Sequence, residues 1–129
     1  MANILVIEDN PDNMTLAVLL LTSAGHTVLS ASDAEVGLTL AHEQLPQLIL
    51  MDIQLPGMDG LQATTLLKAH AATSRIPVIA LTALAMKGDE ERIRAAGCDG
   101  YIAKPMSIRG FLATVAAQLA APDAPPVAA

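Results

Sequence analysis

Short apolar runs alternate with longer mixed stretches along the whole chain, and this alternation predicts a repeating order of strands and helices. The apolar runs are rich in Val, Ile and Leu, which is typical of strands buried on both faces of a parallel sheet. The predicted strands cover residues 4–7, 27–29, 48–51, 78–81 and 101–103. Strands that alternate with helices in this way favour an α/β fold with helices on both faces of the sheet.

Residues with strong capping preferences mark the predicted helix ends. Asn10 is the predicted N-cap of the first helix, and Pro11 takes the first helical position, where a missing N–H costs nothing. Gly25 and Gly97 are the predicted ends of the first and fourth helices, and Ser107 is the predicted N-cap of the fifth. The second helix is predicted over residues 33–44, the third from the Pro/Gly-rich loop 55–60 to about residue 71, and the fourth over 86–96.

Two helices carry informative apolar patterns. The fifth has one core-facing stripe at helical spacing, formed by Ile108, Phe111, Leu112, Val115 and Leu119. The first has a stripe formed by Leu16, Ala17, Leu20 and Leu21 and leaves three apolar residues outside it: Met14, Val18 and Leu19. These three are either half-buried or form an exposed patch of the kind that often marks a partner surface.

Length and composition bound the function. With 129 residues we expect one domain over residues 2–120, followed by a disordered Pro/Ala tail at 121–129. The longest apolar run is too short for a membrane span, and the N-terminus lacks a signal peptide, so we expect a cytoplasmic protein. A net charge of −6 argues against sequence-independent binding to nucleic acid. The single cysteine, Cys98, fits a reducing compartment, and we expect it to be buried as a small apolar side chain.

Polar residues come directly after four of the five predicted strands. Glu8 and Asp9 come after the first, Asp52 after the third, Thr82 after the fourth and Lys104 after the fifth. The carboxyl ends of parallel strands meet at one edge of a sheet, where ligands bind. The sequence therefore predicts one site with three carboxylates, a hydroxyl and an ammonium group.

The motifs around these residues resemble those of response-regulator receiver domains. They are Val-Ile-Glu-Asp-Asn, Leu-Met-Asp-Ile-Gln-Leu-Pro-Gly-Met-Asp-Gly, Leu-Thr-Ala and Tyr-Ile-Ala-Lys-Pro, in that order over residues 2–120. The stretch Ala-Met-Lys-Gly-Asp-Glu-Glu-Arg-Ile-Arg, together with Cys98, is most similar to stand-alone cell-cycle receivers of the DivK type and to receivers of hybrid histidine kinases. The resemblance implies a flavodoxin-like, three-layer (βα)5 fold with strand order 2-1-3-4-5. It also implies a signalling domain rather than an enzyme.

The same resemblance implies roles for the strand-end residues. Asp52 would accept a phosphoryl group from a phosphohistidine, and Lys104 and Thr82 would contact the phosphoryl oxygens. Mg²⁺ or Mn²⁺ would bind to Asp9, Asp52 and the backbone carbonyl of Gln54, with Glu8 acting mostly through a water.

Output would depend on a conformational switch that partner proteins detect. Thr82 and Tyr101 are the implied switch pair. A histidine kinase or histidine phosphotransfer protein would dock on Pro11, Met14, Val18, Pro105 and Met106. A downstream protein partner would contact the face that includes Met86, Lys87, Ile102 and Ile108. We expect a monomer or a weak phosphorylation-dependent dimer.

Other functions fit the sequence less well. The chain could be a receiver module cut from a larger regulator or hybrid histidine kinase. A phosphatase with an aspartate nucleophile would need a second Asp where Gln54 stands. A flavin or nucleotide binder would need a phosphate-binding loop rich in Gly or in Ser and Thr after the first strand. A receiver that works without phosphorylation would lack a key Asp or Lys, and none is missing from this sequence. The three histidines, His26, His42 and His70, have no metal-ligand spacing and are predicted to lie on the surface.

Overall fold

The computed structural model describes residues 2–83, 87–104 and 107–120, and only the backbone of Lys87. Strands and helices alternate through these residues as the sequence predicts. In chain order they are β1 Asn3–Ile7, α1 Pro11–Ser23, β2 Thr27–Ala31, α2 Ala34–Gln44, β3 Leu48–Asp52, α3 Gly60–Ala69, β4 Val78–Thr82, α4 Lys87–Ala95, β5 Gly100–Ala103 and α5 Ile108–Ala120.

The five strands form one parallel sheet in the order β2-β1-β3-β4-β5, which confirms the predicted topology. β3 and β4 are buried along their whole length, and β1 is buried after its first residue. In register, Val6 lies beside Leu50 and Leu50 lies beside Ile79. The central strands therefore hold their carboxyl ends at a common edge.

Two apolar clusters, one on each face of the sheet, make this a three-layer fold. Leu5, Ile7, Ile49 and Met51 point to one face, and the residues that alternate with them point to the other. The first face is covered by α2, α3 and α4, and the second by α1 and α5. The continuous apolar runs arise because both faces of each central strand are buried.

Side-chain caps fix the beginnings of the helices. The Asn10 side chain accepts a hydrogen bond from the Asn13 N–H at 3.0 Å, and Pro11 begins α1, both as predicted. Ser107 accepts one from the Gly110 N–H at 3.1 Å at the start of α5. The capping box of α3 was not predicted from the sequence; in it, the Asp59 and Gln62 side chains each accept a hydrogen bond from the other residue's N–H.

The exposure of apolar side chains on α5 corrects the predicted core-facing stripe, and their exposure on α1 decides whether Met14, Val18 and Leu19 form an exposed patch. In α5, Phe111 and Val115 are buried, but Ile108 is 59% exposed, so it does not belong to the core-facing stripe. Ile108 lies in the first turn, near the edge where β5 has already ended and offers no sheet surface to cover it. In α1, Met14 and Val18 are half-buried and Leu19 alone is exposed, which favours half-burial over a continuous patch.

Leu45 gives a test of backbone strain. It ends α2 in the left-handed conformation, with φ of 45°, and its side chain is 53% exposed. A β-carbon makes this conformation costly, whereas glycine adopts it freely. We expect Leu45→Gly to stabilise the fold by about 1 kcal/mol in urea denaturation, and Leu45→Ala, which keeps the β-carbon, to leave the stability nearly unchanged. Equal effects of the two substitutions would contradict this explanation.

Candidate functional site

Backbone hydrogen bonds continue past the strand ends and fix the polar segments beyond them. The Glu8 N–H donates to the Ala31 carbonyl at 3.0 Å, and the Ile53 N–H donates to the Leu81 carbonyl at 3.1 Å. The Lys104 N–H donates to the carbonyl of Thr82 at 2.7 Å. Because each polar segment extends the pairing of a buried strand, its backbone is as well positioned as the strand itself.

Lys104 joins the predicted site residues. Its Nζ lies 2.9 Å from Oε1 of Glu8 and 3.2 Å from Oδ2 of Asp52. Both carboxylates are buried, as is Thr82, while Asp9 is exposed at the rim. The structure therefore brings together carboxylates and an ammonium group from three strand ends, as the sequence predicts.

The charges of Asp52 and Lys104 depend on their burial and on each other. The pKa of Asp52 is raised to about 6, first by burial and then by the neighbouring Glu8, while the Gln54 N–H and Lys104 oppose the shift. The Gln54 N–H donates to Oδ1 of Asp52 at 3.0 Å. Burial alone would lower the pKa of Lys104, but the adjacent carboxylates of Glu8 and Asp52 raise it. Lys104 therefore stays charged at neutral pH.

Glu8 lies in the predicted site, and there it forms a direct ion pair with Lys104. Its Oε2 accepts a hydrogen bond from the Asn10 N–H at 3.2 Å. Its Oε1 is buried and lies at ion-pair distance from Lys104, but among the described residues it accepts no hydrogen bond of good geometry. The Lys104 ammonium offsets part of the cost of burying this carboxylate oxygen, and a bound metal ion would offset it further.

Three carboxylates are close enough to share a metal ion. Glu8, Asp9 and Asp52 each offer an oxygen, and these oxygens lie within 4.8 Å of one another. Hard divalent cations prefer oxygen ligands of this kind, and the incompletely satisfied Oε1 of Glu8 also fits such a ligand. The cluster could therefore hold a metal ion.

Tyr101, the predicted switch residue, lies on β5, and its hydroxyl contacts α4. Tyr101 is half-buried, and its hydroxyl donates a 2.6 Å hydrogen bond to Oε2 of Glu90 on α4. This hydrogen bond raises the pKa of Tyr101, because it stabilises the protonated form beside a negative charge. No local pattern indicates this bond, since Asp89 to Arg92 resemble a plain solvated helix face.

The predicted partner residues differ in their exposure. Pro11 and Ile108 are exposed, and Met14 and Val18 are half-buried. Ile102 is buried in the cluster that contains Phe111, so its predicted place on the partner surface is corrected. Three further predicted contacts, Met86, Pro105 and Met106, lie outside the described residues. The side chain of Lys87 is also not described.

Gly60 positions the backbone at Asp52, a role that the sequence did not predict. It is the last residue of the motif that contains Asp52. Its N–H donates to the Ile53 carbonyl at 2.9 Å. A β-carbon at Gly60 would collide with the carbonyl oxygen of Asp52 and would lie 2.8 Å from the Cα of Ile53. The first residue of α3 thus packs directly on the backbone that carries Asp52.

Comparison with known proteins gives one consistent family. The family model described as "Response regulator receiver domain" matches residues 4–116. The polar-differentiation response regulator DivK of Brucella anthropi is 46% identical over 117 residues, which cover 91% of this chain and 95% of that protein.

Solved structures agree with this match. The receiver domain of the sensor histidine kinase PA1611 from Pseudomonas aeruginosa, with a magnesium ion coordinated in its active site cleft, is 36% identical, with a TM-score of 0.85 over 92% of this chain and 97% of that one. Vibrio cholerae CheY4, at 23% identity, shares the fold with a TM-score of 0.88 over 92% and 98% of the two chains. Within the described part of the chain, no helix has the length and hydrophobicity that a bilayer span requires.

The contact at Gly60 leads to a paired prediction. Gly60→Ala should destabilise the protein by about 1–3 kcal/mol, because the new methyl group meets backbone atoms that cannot move aside cheaply. Gly88→Ala is the matched control: Gly88 lies in α4, and a β-carbon added there would meet nothing within 4 Å. Urea denaturation should show the loss only at Gly60, and helix propensity should make Gly88→Ala neutral or stabilising.

The raised pKa of Asp52 predicts a pH-dependent effect of Asp52→Asn in metal-free buffer. Asp52 ionises more easily in the unfolded chain, near its ordinary value of 3.8, than in the folded one, near 6. The contribution of Asp52 to wild-type stability therefore falls as pH rises between these values, and Asp52→Asn should be the more stable protein above pH 6 by on the order of 2 kcal/mol.

Urea denaturation with a chelator, from pH 4 to pH 8, measures this difference. Glu43→Gln on the exposed surface of α2 is the control for the loss of one negative charge. A stability difference between wild type and Asp52→Asn that is constant across this range would contradict the assigned pKa shift.

Proposed function

The chain belongs to the response regulator receiver domain family, and we propose that it acts in a phosphorelay by accepting a phosphoryl group on Asp52. The observation that carries this proposal is the position of Asp52. Its side chain is buried at a sheet edge, with one oxygen beside the Lys104 ammonium and the exposed Asp9 close by. A carboxylate in this position can act as a nucleophile toward a phosphoryl group.

In the proposed transfer, an oxygen of Asp52 forms a bond to phosphorus while the phosphorus–nitrogen bond of a partner's phosphohistidine breaks. The electron pair of the broken bond returns to the imidazole, which takes up a proton. The transferring group is loosely bonded in the transition state, so that positioning and charge neutralisation supply most of the catalysis. Lys104 supplies a fixed positive charge, and the Gln54 N–H orients the carboxylate.

Mg²⁺ is the proposed cofactor, with Mn²⁺ as its substitute. Asp9, Asp52 and the backbone carbonyl of Gln54 would hold the ion, and Glu8 would contribute through a water. A bound divalent cation neutralises phosphoryl charge. The three clustered carboxylates and their hard oxygen atoms support this assignment.

The proposed switch links Thr82 to Tyr101. Thr82 is buried at the end of β4, and Ala83 beside it is exposed and small. We propose that the Thr82 hydroxyl donates to the phosphoryl oxygens and that Tyr101 moves with it. For that movement the Tyr101 hydroxyl must leave Glu90, so the switch has two alternative hydrogen-bonding states.

The proposed partners are proteins. A histidine kinase or histidine phosphotransfer protein would dock over α1, where Pro11 is exposed and Leu19 is 62% exposed. A downstream protein would detect the altered surface of α4, β5 and α5, which includes the exposed Ile108. We propose that the protein works in the cytoplasm, without direct contact with nucleic acid.

Intact mass measurement after incubation with Mg²⁺ and a small phosphodonor tests the proposed function. We expect a mass gain of one phosphoryl group in the wild type and none in Asp52→Asn. Asp59→Asn is a poor control because Asp59 caps α3, whereas Asp12→Asn removes an exposed carboxylate near the site and should still gain mass. A chelator should suppress the gain. An undiminished gain in Asp52→Asn would refute Asp52 as the acceptor.

A further inference from the structure

His42 and His70 lie far apart in the sequence but meet in the fold. His42 is in the last turn of α2, and His70 is the C-cap of α3. Their ring centres are 5.0 Å apart, with the ring planes at 88°, and both residues are exposed to solvent. The sequence predicts surface histidines without metal-ligand spacing, and no local pattern in it shows that two of them meet.

This pair lies at the opposite end of the fold from Asp52. α2 and α3 are neighbours on one face of the sheet, and each runs back from the carboxyl edge of the strands to the amino edge. Their C-terminal ends therefore come together at the amino edge. Helix C-termini carry partial negative charge from unpaired carbonyl groups, which favours a cation near both histidines.

The ring spacing fits two imidazoles that share a metal ion. A zinc–nitrogen bond of about 2.0–2.1 Å, extended by roughly 1.1 Å to the ring centre, places two tetrahedral imidazole ligands about 5 Å apart between centres. The observed separation is 5.0 Å, with the ring planes at 88° as in an edge-to-face pair, so that a shared ion requires the two exposed rings to turn until one nitrogen of each faces it. Imidazole suits zinc, copper and nickel, whereas magnesium and calcium prefer oxygen ligands.

We infer that His42 and His70 form a two-imidazole site for a divalent transition cation of the zinc class, which clamps the end of α2 to the end of α3. Among the described residues, no third His, Cys, Asp or Glu is close enough to form a three-residue group with them. Water therefore completes the coordination, and the site is open to exchange. It is separate from the acidic cluster and does not rest on the proposed phosphotransfer.

A clamp at this place would act on a weakly held helix. The buried residues of α2 are Ala34, Gly37 and Ala41, which are all small. By contrast, α1 buries two leucines and α5 buries Phe111. Leu38 and Leu40 of α2 also pack against the core but are only partly buried. Since buried apolar area stabilises in proportion to its size, α2 gains less from full burial than α1 or α5, and a cross-link to α3 should stabilise it measurably.

The test is a titration of the full chain with Zn²⁺ in excess Mg²⁺, monitored by the imidazole ¹H–¹⁵N signals and by thermal melting. We expect the His42 and His70 signals to shift together, the His26 signal to stay in place, and the melting temperature to rise with Zn²⁺. His42→Gln and His70→Gln should each weaken the binding about tenfold or more, which corresponds to at least about 1.4 kcal/mol. Both side chains are exposed, so these variants should fold.

His26→Gln is the matched control, because it also removes one imidazole but lies outside the pair. It should keep the wild-type zinc affinity. The inference is overturned if the His42 and His70 signals do not respond, if the double variant His42→Gln/His70→Gln keeps the melting shift, or if His26→Gln loses affinity equally. Zinc bound only at Glu8, Asp9 and Asp52 would leave both histidine signals unchanged and would also overturn it.

Discussion

The structure at the sheet edge depends on one ammonium group placed between two buried carboxylates. Two carboxylates about 5 Å apart repel by roughly 3 kcal/mol at an effective dielectric near 20, and burial adds a desolvation cost to each. Lys104 contacts both Glu8 and Asp52 and offsets part of this repulsion. Lys104 does not cancel both costs, because burial and then Glu8 still raise the pKa of Asp52. The site therefore keeps an affinity for positive charge that the protein alone does not satisfy.

This unsatisfied charge is tolerated because the rest of the sheet is rigid. β1, β3 and β4 are covered on both faces, and their ladder hydrogen bonds continue into Glu8, Ile53 and Lys104. The carboxylates therefore cannot separate to relieve their repulsion. A site held in this way is preorganised for a cation, and the same crowding of charge destabilises the fold locally.

Features encoded by periodicity and chain order were predictable from the sequence, whereas those that depend on distances across the fold were not. Buried strands, their polar ends and several caps are local features, so Asn10, Ser107 and the meeting of Glu8, Asp52 and Lys104 were predictable. The contact of Gly60 with the β3 backbone and the meeting of His42 with His70 depend on how helices pack, which no local pattern encodes. Ile108 has the correct helical spacing for the core stripe, yet it is exposed, because spacing does not show where the sheet beneath a helix ends.

The attachment of α4 bears on the proposed switch. Of the α4 side chains that the structure describes, Ile93 alone is buried, and the helix is otherwise highly polar. The hydrogen bond from Tyr101 to Glu90 is a direct side-chain link between β5 and α4. Glu90 also lies 3.9 Å from Arg94, which gives its carboxylate an alternative partner when the tyrosine leaves. Among its described side chains α4 buries only Ile93, so in the proposed switch α4 is the element that a movement of Tyr101 would displace.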